Sequence, residues 1–172
     1  MTRKSNGAVL WRGPSELDGQ PIVVIATGLL QNSRNSKTGD LIQTWILREE
    51  EDVSPTEAVN TGEDASICGA CAHRGTVEAG KNKARSCYVA VFQAPLNVWK
   101  SYHKGIYPDA TLDTLAGRKV RLGSYGDPAA VPVNVWACLL RDSLSGTGYT
   151  HQWRTADPRF SKWLMASCDS KG

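Results

Sequence analysis

The sequence predicts an α/β fold, a partial parallel β/α barrel or an open sheet, with an N-terminal β-hairpin and a cysteine-rich metal loop. Three observations predict it. Two β-rich apolar runs within residues 21–48 are separated by a polar turn. The final third reads strand, helix, strand, helical turn, strand with short connections, and such units pair in parallel through right-handed crossovers. Between these parts lies a polar loop with a C-x-x-C pair and a third cysteine.

Residues 1–20 read as a loosely structured arm ending in the turn Leu17-Asp18-Gly19. The hairpin, 21–48, begins with PIVVIATGLL and returns through LIQTWIL, where Leu41, Gln43, Trp45 and Leu47 alternate with Ile42, Thr44 and Ile46. Alternation with period two marks strands, and Asn35-Ser36-Lys37-Thr38-Gly39-Asp40 supplies turn residues between them. Residues 49–92 read as an acidic and cysteine-rich loop region, with Glu49-Glu50-Glu51-Asp52 and Ser54-Pro55 as its solvated entry.

Residues 93–172 read as a helix followed by a βαβαβ unit. The helix starts near Pro95 and stops before Gly105, using proline and glycine where helices tolerate them. His103 falls in its last turn, where an exposed cation facing the helix dipole is the default. KVRLGSYGD reads as a strand, PAAVPVNVWACLLRDSL as a helix with Val133, Trp136, Ala137 and Leu140 on one face, and GTGYTHQ as the next strand. A helical turn over 157–162 and the strand WLMASCDS close the chain.

The chemistry centres on ICGACAHRGTVEAGKNKARSC. A C-x-x-C turn brings two thiolates to one side, and a later cysteine extends the set toward zinc or an iron–sulfur cluster. Cys68, Cys71 and Cys87 are the metal candidates, with Cys168 or His73 as a fourth ligand. Unliganded thiols and a redox dithiol are the alternatives. Cys138, inside VNVWACLL, reads as a small buried apolar residue.

Each strand of the last third ends in polar residues, and in parallel sheets ligands bind beyond the carboxyl ends of strands. Asp127, His151 and Asp169 are the catalytic candidates. Ser124, Tyr125, Gly126 and Thr150 are the cofactor-binding ones. Lys81, Lys83 and Arg85 in the cysteine loop offer contacts to nucleic acid or an anionic small molecule.

Net charge of +3 is too small to diagnose a nucleic-acid binder. A chain of 172 residues is expected to form one domain. Five cysteines without an apolar leader run predict a reducing, cytoplasmic compartment, and no run is long enough to span a membrane.

The combination resembles a family of uncharacterised phage and prophage proteins, and more distantly the phage "gene product eighty-eight" family. The residues that carry the resemblance are Asn35-Ser36-Lys37-Thr38-Gly39, Cys68/Cys71, Cys87-Tyr88, Val120–Asp127, Gly148–Trp153 and Met165-Ala166-Ser167. A cysteine cluster ending in Cys-Tyr and followed by β/α units is also similar to radical S-adenosylmethionine proteins. That likeness implies a [4Fe–4S] cluster with an open iron and S-adenosylmethionine as cofactor, while the phage resemblance implies host cytoplasm as location. The chain departs from the radical pattern in lacking C-x-x-x-C-x-x-C spacing and a Gly-Gly-Glu motif. The resemblance leaves the substrate open, and a zinc-stabilised module binding nucleic acid or a host protein is the alternative.

Overall fold

The computed structural model describes residues 5–31 and 39–168. Its centre is an open six-stranded sheet in the order β1-β2-β3-β6-β7-β8. β2 (Pro21–Thr27) lies antiparallel to both its neighbours, β1 (Gly7–Pro14) and β3 (Ile42–Arg48). From β3 onward, β6 (Lys119–Tyr125), β7 (Ser145–Thr150) and β8 (Leu164–Ala166) join in parallel. The sheet is therefore mixed, and the expected α/β architecture takes its open form.

The arm expected over 1–20 is instead an ordered strand followed by a turn. GAVLW has the apolar content to pair with β2, and Ala8 and Val9 are buried. Its outer edge bonds to the segment after the third helix, with Val9 N–H donating to Pro108 O and Ala110 N–H donating to Val9 O. That cover protects a strand edge that would otherwise invite another chain. The expected hairpin of 21–48 is β2 paired with β3, while its turn residues Asn35–Thr38 lie outside the described residues.

β3 is a central strand buried on both faces, which explains why Gln43 and Thr44 are enclosed beside Ile42, Ile46 and Leu47. The 49–92 segment is more regular than a solvated loop. It contains α1 (Pro55–Thr61), α2 (Ala65–Cys68), a 3-10 turn at Ala72–Arg74, and the hairpin β4 (Thr76–Glu78) with β5 (Lys81–Lys83). Ser54 caps α1 by accepting from Glu57 N–H, and Pro55 occupies the first turn. Ala79 and Gly80 both take positive φ, as a two-residue hairpin turn requires.

α3 (Ala94–His103) starts at the expected proline and buries Pro95 and Val98. His103 is not an exposed cation. Its ring packs against Trp99 at 4.4 Å and Tyr102 at 4.9 Å between centroids, and burial lowers its pKa. α4 (Val133–Leu139) is shorter than the sequence suggested and follows a 3-10 turn at Pro128–Ala130. It buries Val133, Trp136 and Leu139, whereas Ala137 and Cys138 are exposed. The Trp136 indole donates to Pro128 O at 2.9 Å, tying the helix back to the end of β6. A last 3-10 turn, Pro158–Lys162, connects β7 to β8.

The candidate site at the carboxyl ends of the parallel strands

The register of the sheet slips where β6 ends, and this shapes the site. Gln43 pairs with Arg121, but Trp45 pairs with Tyr125, so β6 carries extra residues against β3. Thr44 fills the broken ladder: its hydroxyl donates to Arg121 O and accepts from Gly123 N–H. Gly123 sits at φ 68°, and a Cβ there would lie 2.5 Å from Gly126 O. Only glycine fits, and the resulting bulge re-aims the end of the strand.

The end of β6 meets α2 directly. Asp127 N–H donates to Ile67 O at 2.6 Å, one residue before Cys68. The Asp127 carboxylate is buried and accepts from Ala129 N–H at 2.9 Å, His151 N–H at 2.8 Å and the Gln152 amide at 3.4 Å. It thus joins the ends of β6 and β7 through backbone amides. Gln152 completes the link, its amide donating to Cys68 O at 3.1 Å. Gly69 makes room for it, because a Cβ there would stand 2.6 Å from the Gln152 amide nitrogen.

Two arginines anchor the cysteine loop. The Arg48 guanidinium, buried at the end of β3, donates to Ser66 Oγ and to Glu50. Arg74 donates to Asp64 Oδ1 through both Nε (3.0 Å) and Nη2 (2.6 Å), and to Gly69 O and Gly62 O. Asp64 is buried, so this pair fixes the turn that carries Cys68 and Cys71. Arg85 is also directed inward, donating to Cys87 O and Val89 O. Of the expected basic contacts, Lys81 and Lys83 stand exposed on β5.

These anchors bring Cys68, Cys71 and Cys87 to the wall of one cavity of about 320 Å³. The ends of β6 and β7 supply the rest of that wall, including Ser124, Tyr125, Gly126, Asp127 and His151. The cysteine loop and the strand ends therefore share one rim of the sheet. Among the described residues, no group of three or more His, Cys, Asp or Glu side chains is arranged to hold a metal ion.

Loss of water around Cys68 pushes its thiol well above the usual range, with further increments from Asp64, Cys71 and Cys87 and opposition from Arg74.

The remaining expected residues fall unevenly. Thr150 is buried but bonds locally, accepting from Gln152 N–H, and does not line the cavity. Ser124 lines it while donating to Gln43 Oε1 at 2.5 Å. His73 is exposed, with Nδ1 2.8 Å from Ser86 Oγ and its ring edge-on to His151 at 5.7 Å. Cys168 is exposed and outside the cavity wall. Asp169 lies outside the described residues.

The sequence reading missed Tyr88, Arg121 and Tyr149 on the same wall, and the Arg74–Asp64 pair beneath it. Tyr88 adjoins Cys87 and Tyr149 lies one residue before the strand-end triplet, so proximity along the chain was the available signal. No protein-family model matches this chain, and no curated protein or solved structure shows significant similarity to it. Among the described residues no helix is long and apolar enough to cross a membrane.

Proposed function

We propose that this chain is an iron–sulfur enzyme in which Cys68, Cys71 and Cys87 hold a [4Fe–4S] cluster facing the ends of β6 and β7. The observation that carries the proposal is that three cysteines from two chain segments line one cavity with those strand ends. A cluster takes each cysteine on a different iron. It can therefore take cysteines from separate places on one wall, whereas zinc draws its ligands to one point. When bound, such a cluster supplies one-electron chemistry and an open iron for S-adenosylmethionine or another ligand.

The chain's own residues then have separable tasks. Asp127 and Gln152 hold the strand ends against the cysteine loop through the hydrogen bonds described above. Arg74 keeps the C-x-x-C turn in place. His151 brings an imidazole to the cavity wall, where a ring nitrogen can donate or accept a hydrogen bond. Tyr88, Tyr149 and Arg121 face the opening, where Arg121 donates to the Tyr88 hydroxyl at 3.2 Å.

Metal analysis of anaerobically expressed variants tests this. Cys71→Ser is expected to lose most of the iron, and Cys138→Ser none. Equal iron in both would sink the assignment. A zinc-stabilised nucleic-acid-binding module is the second reading, favoured by the exposed Lys81 and Lys83. Its signature would be zinc in place of iron, together with strongly salt-dependent nucleic-acid binding.

A further inference from the structure

Tyr125 stands at the end of β6 with its side chain in the cavity wall. The residue is only 3% exposed, and its hydroxyl is buried with no hydrogen-bond partner. A buried phenol normally finds an acceptor, because a donor stripped of water and left unbonded is costly. Cys68, Cys71 and Cys87 line the same cavity wall as this phenol. A neutral thiol is a weak acceptor. A thiolate or sulfide bound to metal is a charged one, and hydrogen bonds to ionised acceptors are roughly twice as strong.

We propose that the Tyr125 hydroxyl donates a hydrogen bond to a sulfur of the metal centre, and so stabilises the loaded centre and raises its reduction potential. This rests on the cluster reading above. No protein group among the described residues accepts from this donor. Metal loading creates the acceptor in the cavity that Tyr125 lines. A hydrogen bond to sulfur favours the more negatively charged, reduced state, which fixes the direction of the potential shift. Tyr125 is a positioning residue, since its hydroxyl acts through the cysteine-bound centre and not on a substrate.

Removing the hydroxyl separates this role from a structural one, because its two consequences have opposite signs. Tyr125→Phe takes away an unbonded buried group in the apoprotein but a bonded one in the loaded protein. The variant is expected to melt no lower than wild type when metal-free. Its centre is expected to be lost to a chelator about tenfold faster. Its one-electron equilibrium should shift about tenfold toward the oxidised state, a midpoint about 59 mV more negative. In wild type, exchange into D2O should shift the metal–sulfur vibrations, and in the variant it should not.

A Tyr125→Phe protein that loads iron with unchanged retention, potential and vibrations would overturn the inference while leaving the cluster assignment intact. A variant that fails to fold would also overturn it, by showing the hydroxyl to be bonded in the apoprotein. Wild-type protein that binds no iron would remove both the inference and the reading beneath it.

Discussion

Replacing Arg74 tests whether the cysteine turn is held by the buried pair. Arg74→Met removes four N–H···O contacts, two of them to Asp64 Oδ1. The Asp64 side chain is 3% exposed and that of Arg74 is 23% exposed. Breaking a buried pair by deleting one partner costs about 3–5 kcal/mol, mostly from the stranded charge. The partial exposure of Arg74 lets water reach the vacated space, so the lower end, about 3 kcal/mol, is expected. Urea denaturation of the metal-free protein measures it, as a fall in midpoint at unchanged slope. Adding Asp64→Asn neutralises the stranded carboxylate and should recover about 1 kcal/mol or more. A loss below about 1 kcal/mol in the single variant, or no recovery in the double, would refute the reasoning.

Three further outcomes are expected. Gly123→Ala forces a side chain into a positive-φ site with Gly126 O 2.5 Å away, and should cost about 1–3 kcal/mol in thermal or urea unfolding; a neutral effect would mean the bulge is not fixed. The Cys68 thiol is raised in the folded protein, so its contribution is full below the unfolded thiol pKa of about 8.5 and declines as pH rises above it. Apoprotein melting should therefore fall in alkali, less so in Cys68→Ala, and iron uptake should improve over the same range because binding releases protons. Since Arg74 and Arg85 donate to protein acceptors, Lys81→Ala with Lys83→Ala should change the logarithmic salt slope of DNA binding by no more than about 2; a larger change would point to a wider basic surface.

Much of the sheet was legible because its strands carry strong local signals. The runs of β2 and β3, the proline start of α3 and the short strands β6 and β7 all declare themselves in composition and spacing. β1 was missed because it is glycine-flanked and interrupted at Leu10, where its register with β2 shifts. α1 was hidden by reading Ser54-Pro55 as turn chemistry, although Ser-Pro-x-Glu also opens helices. Ala137 and Cys138 were placed inward on a helix assumed to run on, whereas α4 ends at Leu139.

The site was legible by residue type more than by contact. Strand-end position predicted that Asp127, His151 and the cysteines would meet on one rim. No local pattern could show that the Asp127 carboxylate bonds to backbone amides, or that Arg74 and Arg85 turn inward, because their partners lie on other segments. Tyr125 was legible as a cofactor-binding candidate at a strand end, but its enclosed hydroxyl emerges only once the cysteine loop is folded against β6.

The central claim is that Cys68, Cys71 and Cys87 hold one iron–sulfur centre in the cavity at the ends of β6 and β7. Quantifying iron and acid-labile sulfide per chain in anaerobically purified wild-type protein tests it most directly, with visible absorbance recorded on the same sample. The account predicts iron and sulfide in equal amounts and a brown chromophore, both lost in Cys68→Ser, Cys71→Ser and Cys87→Ser. Colourless protein that carries zinc alone, or no metal after expression with added iron, would contradict it.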